Sequence, residues 1–256
     1  MIMPIGDDNS DRKMVPVVNI GLIIANILVF VLFQGMGENE KFTYSFSTVP
    51  REIVTGHDEV TGDRQVNEPI TGQQVTIPGL QPTPISVYIT LLTSIFMHGG
   101  IAHIFGNMLF LWIFGDNVED ALGHLRYLLF YLTTGIIASL AHVFTTVAFY
   151  GAGSEQALVP SLGASGAISG VLGAYIFLYP RRRVTVIMFR TLTQVPSYVA
   201  IGMWFVFQLV SSLGMLGGGT QVGGVAYAAH IGGFIAGLLL VRIFAIGLAP
   251  RSYESY

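Results

Sequence analysis

Long apolar stretches constrain this chain more than any other feature. A helix that crosses a bilayer needs about 20 mostly apolar residues, and six stretches approach or exceed that length. They are residues 17–33, 101–114, 125–149, 162–179, 196–216 and 225–246. Only 11% of the 256 residues are charged, against about 25% in a typical soluble domain. The sequence therefore predicts an all-α integral membrane protein, a bundle of six transmembrane helices embedded in a lipid bilayer.

Lysine and arginine residues indicate the orientation of the bundle, because cytoplasmic loops are enriched in them. The chain has twelve lysines and arginines. Nine lie at the N-terminus, after an even-numbered helix or near the end of one, and three lie between the first two helices. The nine are Arg12, Lys13, Arg126, Arg181, Arg182, Arg183, Arg190, Arg242 and Arg251, and the three are Lys41, Arg51 and Arg64. We therefore expect a multi-pass protein of the cell membrane, in a bacterium the inner membrane, with both termini in the cytoplasm.

These expectations divide the chain into five segments. In order they are a cytoplasmic N-terminal segment (1–16), a first transmembrane helix (17–34), a long external polar loop (35–86), a core of helices two to six (87–248) and a cytoplasmic tail (249–256). Thr-Gly pairs and prolines in the loop predict turns or short strands. No small-residue cleavage site follows the first apolar stretch, so we expect no removable signal peptide.

The connection "FGDNVEDALG" after the second stretch carries helix-boundary signals. Gly115 is expected to end the second helix. Asp116 and Glu119 have the spacing of a capping box for the third helix. We interpret both acidic residues as structural.

Composition disfavours several classes of function. The net charge is −3 and no basic tract stands apart from the apolar stretches, so we expect no nucleic-acid partner. The chain has no cysteine, which excludes disulfides, thiol catalysis and cysteine-ligated metals. His98 and His103 would lie about 140° apart on a helix and have no carboxylate near them in sequence. We therefore expect neither a metal site nor an organic cofactor.

Four polar side chains are predicted to meet at one depth. With the expected topology, the second, fourth and sixth helices all begin at the outer face. The second carries His103 and Asn107 on one face, since they are four residues apart, and the fourth carries Ser165 near its start. His230 lies on the order of 8 Å into the sixth helix. Such groups are costly inside a membrane and usually face a cavity or a pathway.

Glycines indicate which of these helices touch. Small residues at helical spacing let two membrane helices approach closely. If the fourth and sixth helices pack through their glycine stripes, Ser165 and His230 come within hydrogen-bond distance. The stripes are Gly166, Gly170 and Gly173 in the fourth helix and Gly233 and Gly237 in the sixth.

This arrangement favours acyl transfer. A serine is a poor nucleophile until a base removes its proton, and a nearby histidine is the usual base. We expect Ser165 to attack a peptide carbonyl and His230 to take and return the proton. The backbone N–H of Ser165, with the side chains of His103 and Asn107, would then stabilise the oxyanion.

Three motifs in this order resemble those of the rhomboid intramembrane serine proteases. They are "GASG" around Ser165, "HGGIAHIFGN" from His98 to Asn107 and "AHIGGFIAG" around His230. The resemblance spans about 150 residues and includes order, spacing and topology. It implies a six-helix core whose Ser165–His230 dyad has no acidic third member.

The resemblance also implies roles for neighbouring residues. His98 would support the external loop, and His103 and Asn107 would form the oxyanion site. Substrates would be transmembrane segments of membrane proteins, cut near their outer ends. The site would be supported by Gly163, Gly166, Gly233 and Gly237.

Two positions depart from the family pattern. Some rhomboids carry an aromatic residue four positions after the serine, stacked on the catalytic histidine, and here that position is Ser169. The Trp-Arg pair that some members carry in the first external loop is also missing. The way in which the His230 ring is held therefore stays open.

Two other functions fit parts of the sequence. One is a catalytically silent relative that binds or moves membrane proteins, although both dyad residues are present. The other is a small transporter or proton channel in which serine, histidine and asparagine line a water path. A transporter more often shows a repeated half with broken helices, and this sequence shows no such repeat.

Overall fold

The computed structural model describes residues 2–67, 74–188, 191–216 and 227–247, and this part of the chain is mostly helical. The helices are α1 Val17–Leu28, α2 Glu40–Ser45, α3 Pro50–Thr55, α4 Thr90–Thr93, α5 Ile101–Leu122, α6 His124–Tyr150, α7 Ser165–Leu178, α8 Ser197–Leu216 and α9 Tyr227–Phe244. The strands are β1 Ile2–Asp7, β2 Arg64–Asn67, β3 Gln74–Ile77, β4 Arg183–Met188 and β5 Thr191–Pro196. Arg190, Arg251 and the expected tail 249–256 lie outside the described residues.

Each of the six apolar stretches contains a helix. Within the described residues, three of them, α5, α6 and α9, are long and apolar enough to cross a membrane. The shorter apolar helices are Val17–Phe33, in which a π-helical turn continues α1, Val87–Phe96, Ser165–Leu178 and Ser197–Val210. A membrane protein is therefore supported, and the number of six spans stays a prediction.

Helix α7 lies at the centre of the bundle. It packs against α5, α6 and α9, and residues 166–175 are all buried. Its sequence can be apolar on every side because every side meets another helix. Ser165, at its first position, thus directly precedes an enclosed run of this helix.

Two small sheets make the all-α expectation wrong in detail. Strand β4 pairs antiparallel with β1 on one side and with β5 on the other, which joins the N-terminal segment to the connection between α7 and α8. Val184 and Val186 of β4 alternate into the core and are fully buried, the period of two that defines a strand. Strands β2 and β3 form a hairpin within the 35–86 segment, which confirms the short strands predicted there.

The predicted helix boundary near Gly115 is wrong. Helix α5 continues through Gly115, Asp116 and Glu119. The buried carboxylate of Glu119 instead accepts hydrogen bonds of 2.9 and 2.7 Å from two backbone N–H groups in the first turn of α1, so it caps α1 and not α6. A Cβ at Gly115 would lie 2.1 Å from Asn19 Oδ1. Gly115 therefore permits the close approach of α1 and does not end a helix.

The C-terminal half of α7 is tied to β1 and α5 by a polar cluster. The Asp7 carboxylate of β1 accepts hydrogen bonds from the Tyr175 hydroxyl at 2.6 Å and from Asn117 Nδ2 at 2.8 Å. Burial raises the pKa of the Asp7 carboxyl to about 7. The sheet therefore anchors the end of α7 that is remote from Ser165.

The 35–86 segment contacts the chain just before α7. Thr48 and Ser161 form an antiparallel bridge in which each backbone N–H donates to the other's carbonyl, at 3.0 and 2.8 Å. The Thr48 hydroxyl also donates to the carbonyl of Thr90 at 2.9 Å. This segment therefore helps to fix the backbone that leads into Ser165.

Candidate active site

Ser165 and His230 form a hydrogen-bonded pair. Ser165 begins α7, and His230 lies in the first turn of α9. The distance from Ser165 Oγ to His230 Nε2 is 2.8 Å, an ordinary length for a hydroxyl that donates to nitrogen. Both residues are half-buried. The structure thus brings together the two side chains that the sequence analysis paired.

Glycines on both helices allow this approach. A Cβ at Gly237 would lie 2.0 Å from the carbonyl oxygen of Gly170, and a Cβ at Gly233 would lie 2.1 Å from that of Gly166. In the other direction, a Cβ at Gly173 would lie 2.2 Å from the carbonyl oxygen of Phe234. The two backbones therefore touch directly, and any side chain at these positions would push α7 and α9 apart.

Two of the α7 glycines also face α6. A Cβ at Gly166 would lie 2.7 Å from the Ala138 Cβ, and a Cβ at Gly170 would lie 2.5 Å from the Thr134 Cβ. These two positions thus face α6 with their hydrogens and α9 with their carbonyls. The stripe on α7 serves two interfaces, not the single one that the sequence analysis expected.

Asn107 presents an unpaired donor near Ser165. It lies in the second turn of α5 and is 8% exposed. Among the described residues, its Nδ2 has no hydrogen-bond partner. A buried amide donor without a partner is costly, so an acceptor that is absent from the free protein would relieve that cost.

His103 lies one turn before Asn107. The backbone N–H of Gly99 donates to His103 Nδ1 at 3.3 Å, so in the neutral ring the hydrogen is on Nε2. A Cβ at Gly163 would lie 2.9 Å from His103 Nε2 and 3.7 Å from Ser165 Oγ. Gly163 has a φ of 124°, which also favours glycine. Its missing side chain leaves open the space between the His103 ring and the Ser165 hydroxyl.

A cavity of about 580 Å³ connects these groups. Its wall includes Ser165, His230, His103 and Asn107, together with Trp204 of α8. The cavity is large enough for a short peptide segment or several waters. The four polar residues predicted to share one depth therefore do share one cavity.

His98 lies behind His103 and is fully buried. Its backbone N–H donates to Gln34 Oε1, and its carbonyl accepts from Gln34 Nε2, both at 2.9 Å. Gln34 also donates to the hydroxyl of Thr43 in α2 at 2.9 Å. The His98 ring contacts the His103 ring, with centroids 5.2 Å apart. His98 thus lies between the start of the 35–86 segment and the candidate site.

Sequence reasoning missed one residue at the site, Gln208 of α8. Its Oε1 lies 2.8 Å from His230 Nδ1, and its side chain is buried. The signal in the sequence was the single amide in the apolar run "IGMWFVFQLV". Ser169, at the position of the aromatic residue in some rhomboids, donates instead to the Ser165 carbonyl at 2.6 Å.

No cluster of three or more histidine, aspartate or glutamate side chains suited to a metal ion occurs in the described ranges. The polar groups that line the cavity include the Ser165 hydroxyl, the imidazoles of His103 and His230 and the Asn107 amide. The fold and this cavity together define a class, that of helical membrane proteins with a serine–histidine pair enclosed between helices.

The family follows from comparison with known proteins. A family model described as Rhomboid domain matches residues 86–246, and the chain belongs to the rhomboid family. It is 33% identical over 161 residues to Rhomboid protein 1, mitochondrial, of Saccharomyces cerevisiae, which covers 62% of this chain and 43% of that protein. It is 36% identical over 165 residues to Rhomboid protease GluP of Bacillus subtilis. The match covers 62% of this chain and 30% of that protein.

A third similar protein is the human Presenilin-associated rhomboid-like protein, mitochondrial, which is 29% identical over 175 residues and covers 64% of this chain and 43% of its own length. The chain thus spans less than half the length of the curated relatives it matches. Two of these three relatives are mitochondrial by name. The expected bacterial inner membrane is therefore not supported, whereas a membrane location is.

The glycine contact predicts the effect of one added methyl group. Gly237→Ala places a Cβ against a backbone carbonyl of α7, so we expect α7 and α9 to separate and the protein to lose about 1–3 kcal/mol of stability. The variant should melt earlier in detergent micelles, and Ser165 should react more slowly with a fluorophosphonate probe. Gly202→Ala is the matched control, since a Cβ there meets nothing within 4 Å. Equal melting temperatures for the two variants would contradict this account of the interface.

Proposed function

We propose that this chain is an intramembrane serine endopeptidase that cleaves transmembrane segments of membrane proteins near their outer ends, without a metal or an organic cofactor. The 2.8 Å hydrogen bond between Ser165 Oγ and His230 Nε2 carries the proposal. Membership of the rhomboid family supports it, and one similar protein is named a rhomboid protease. The unpaired amide donor of Asn107 in the same cavity adds a group that can stabilise the oxyanion.

The proposed reaction passes through an ester of Ser165. His230 Nε2 takes the hydroxyl proton as Ser165 Oγ bonds to the peptide carbonyl carbon. The imidazolium then gives this proton to the peptide nitrogen, the C–N bond breaks, and the amine product leaves. A water molecule next bonds to the ester carbon and gives a proton to Nε2. That proton returns to Oγ as the carboxylic acid product departs.

Both steps place negative charge on the carbonyl oxygen. Asn107 Nδ2 and His103 Nε2 are the side-chain donors proposed for this oxyanion, and the backbone N–H of Ser165 is the third. The first N–H groups of a helix have no intrahelical partner, so the start of α7 offers a donor beside the nucleophile. Donors already in place stabilise the transition state without reorganisation.

The membrane arrangement is part of the proposal. We infer six spans, both termini in the cytoplasm and an external 35–86 segment, with the segment boundaries given by the sequence analysis. The candidate site supports a common outer level for α5, α7 and α9, because its residues come from the first two turns of each. Because the candidate site would lie at this outer level, a substrate segment would be cut near its outer end.

The dyad can be tested by single substitutions. Because activation needs both members, Ser165→Ala and His230→Ala should each abolish cleavage of a reconstituted transmembrane substrate. Fluorophosphonate labelling should be present in wild type and absent in Ser165→Ala. This labelling also separates the protease from a silent relative or a transporter, neither of which requires an activated serine.

Ser169→Ala is the matched control for the dyad, since Ser169 lies one turn further along α7 and donates to the Ser165 carbonyl. It should fold, react with the probe and retain some cleavage, as should Ser161→Ala. Loss at Ser169 as complete as at Ser165 would move the nucleophile by one turn and reject the assignment.

Asn107 separates oxyanion stabilisation from substrate binding. A bond that strengthens in the transition state should lower kcat more than it changes KM when it is lost. Removal of one such donor in a soluble serine protease costs about 10²–10³ in rate, and we expect Asn107→Ala to lose that or less. His103→Ala should behave similarly, and the double variant should lose less than the product of the two. Wild-type turnover in Asn107→Ala would make Asn107 a spectator.

The orientation can be tested with single cysteines, because the native chain has none. A cysteine at Gly62 should react with an impermeant thiol reagent added outside intact cells, and one at Arg182 should react only after permeabilisation. The reverse pattern would invert the topology and place the site at the cytoplasmic face.

A further inference from the structure

Gln208 makes a direct hydrogen bond to the proposed catalytic base. It lies in α8, 22 residues before His230, and is 6% exposed. Its Oε1 is 2.8 Å from His230 Nδ1, while the other ring nitrogen, Nε2, is 2.8 Å from Ser165 Oγ. The imidazole is therefore held at both nitrogens, by a hydroxyl on one side and an amide on the other.

These two bonds are compatible with productive catalysis in only one protonation pattern. A neutral imidazole carries one N–H, and its other nitrogen is an acceptor. If His230 Nε2 is to take the proton of Ser165, the hydrogen of the ring must be on Nδ1. A hydrogen on Nδ1 needs an acceptor, and the oxygen end of the Gln208 amide faces it.

Trp204 acts on the same ring from the same helix. It is four residues before Gln208 and so lies on the same face of α8. Its ring centroid is 6.1 Å from that of His230, with an angle of 38° between the planes. Gln208 thus contacts one ring nitrogen, and Trp204 lies beside the ring. Ser169, at the aromatic position of some rhomboids, donates its hydroxyl hydrogen to the Ser165 carbonyl.

We propose that Gln208 is a positioning residue that holds His230 in the Nδ1–H tautomer and in the orientation that leaves Nε2 free to accept the Ser165 proton. The inference rests on the proposed protease function. Gln208 does not touch the reacting atoms, and its effect passes entirely through His230. An uncharged acceptor suits this place, because a carboxylate enclosed between membrane helices carries a large desolvation cost.

The central test compares Gln208→Leu with Gln208→Glu. Leucine is similar in size but has no acceptor, so part of the population should adopt the wrong tautomer. We expect kcat to fall by about 10- to 100-fold, which does not exceed the rate factor that a positioned general base supplies. KM should change by less than about twofold. Gln208→Glu keeps an acceptor oxygen, because even a protonated carboxyl accepts through its carbonyl oxygen, and it should retain most of the wild-type turnover. Leu209→Ala, at a position that is 41% exposed on the same helix, should leave both constants unchanged.

The tautomer itself can be measured by ¹⁵N NMR of histidine-labelled protein, with His230→Ala used to assign the His230 signals. The wild type should show a protonated Nδ1 and an unprotonated Nε2. Gln208→Leu should shift the ring toward protonated Nε2. A merely structural role for Gln208 would lower the melting temperature without changing these nitrogen shifts.

The outcomes separate this inference from the function on which it rests. If wild type labels at Ser165 and Gln208→Leu keeps the wild-type kcat, the protease stands and the role of Gln208 is wrong. If no labelling depends on Ser165, the protease proposal fails, and the nitrogen shifts still decide whether Gln208 sets the tautomer. If Gln208→Leu does not fold, a wild-type ring protonated at Nε2 overturns the inference, and one protonated at Nδ1 supports it.

Discussion

The direct contact between the backbones of α7 and α9 is the constraint on which the candidate site depends. Three glycines, Gly173, Gly233 and Gly237, have no side chain, so a carbonyl oxygen of the facing helix lies where their Cβ atoms would be. A serine hydroxyl and an imidazole are short, and they reach each other across two helices only when the helix axes are unusually close. The 2.8 Å bond between Ser165 and His230 is therefore a consequence of residues that take no part in chemistry.

The packing of α7 explains why this helix suits the proposed nucleophile. Lipid is as apolar as leucine, so membrane helices associate through packing and hydrogen bonds and not through the hydrophobic effect. Helix α7 is enclosed by α5, α6 and α9, and β1 anchors its far end through Asp7 and Tyr175. A site needs rigid support for its reacting groups. The most enclosed helix of the bundle provides that support for Ser165.

Much of this arrangement was readable from the sequence, and the rest depends on long-range geometry. Apolar length located the helices to within a few residues, except for the end of α5, which runs to Leu122 and not to residue 114. Helical spacing placed Ser165 opposite His230. Glu119 was misread because a local capping pattern cannot reveal that the carboxylate reaches the start of α1, about 100 positions away. Gln208 was missed for a similar reason. The rotation of α8 about its axis decides whether a lone amide meets His230 or lipid, and no local pattern encodes that rotation.

The polar groups of the cavity share one property, the absence of a formal charge in their resting forms. Among the described residues that line it there is no carboxylate, lysine or arginine. In soluble serine proteases a buried aspartate orients the histidine and stabilises the imidazolium. An amide such as Gln208 can orient the ring but stabilises that cation less, because it carries only a dipole. In the proposed protease, such an arrangement would give up part of the attainable rate, and membrane helices could enclose the site without a permanently buried ion.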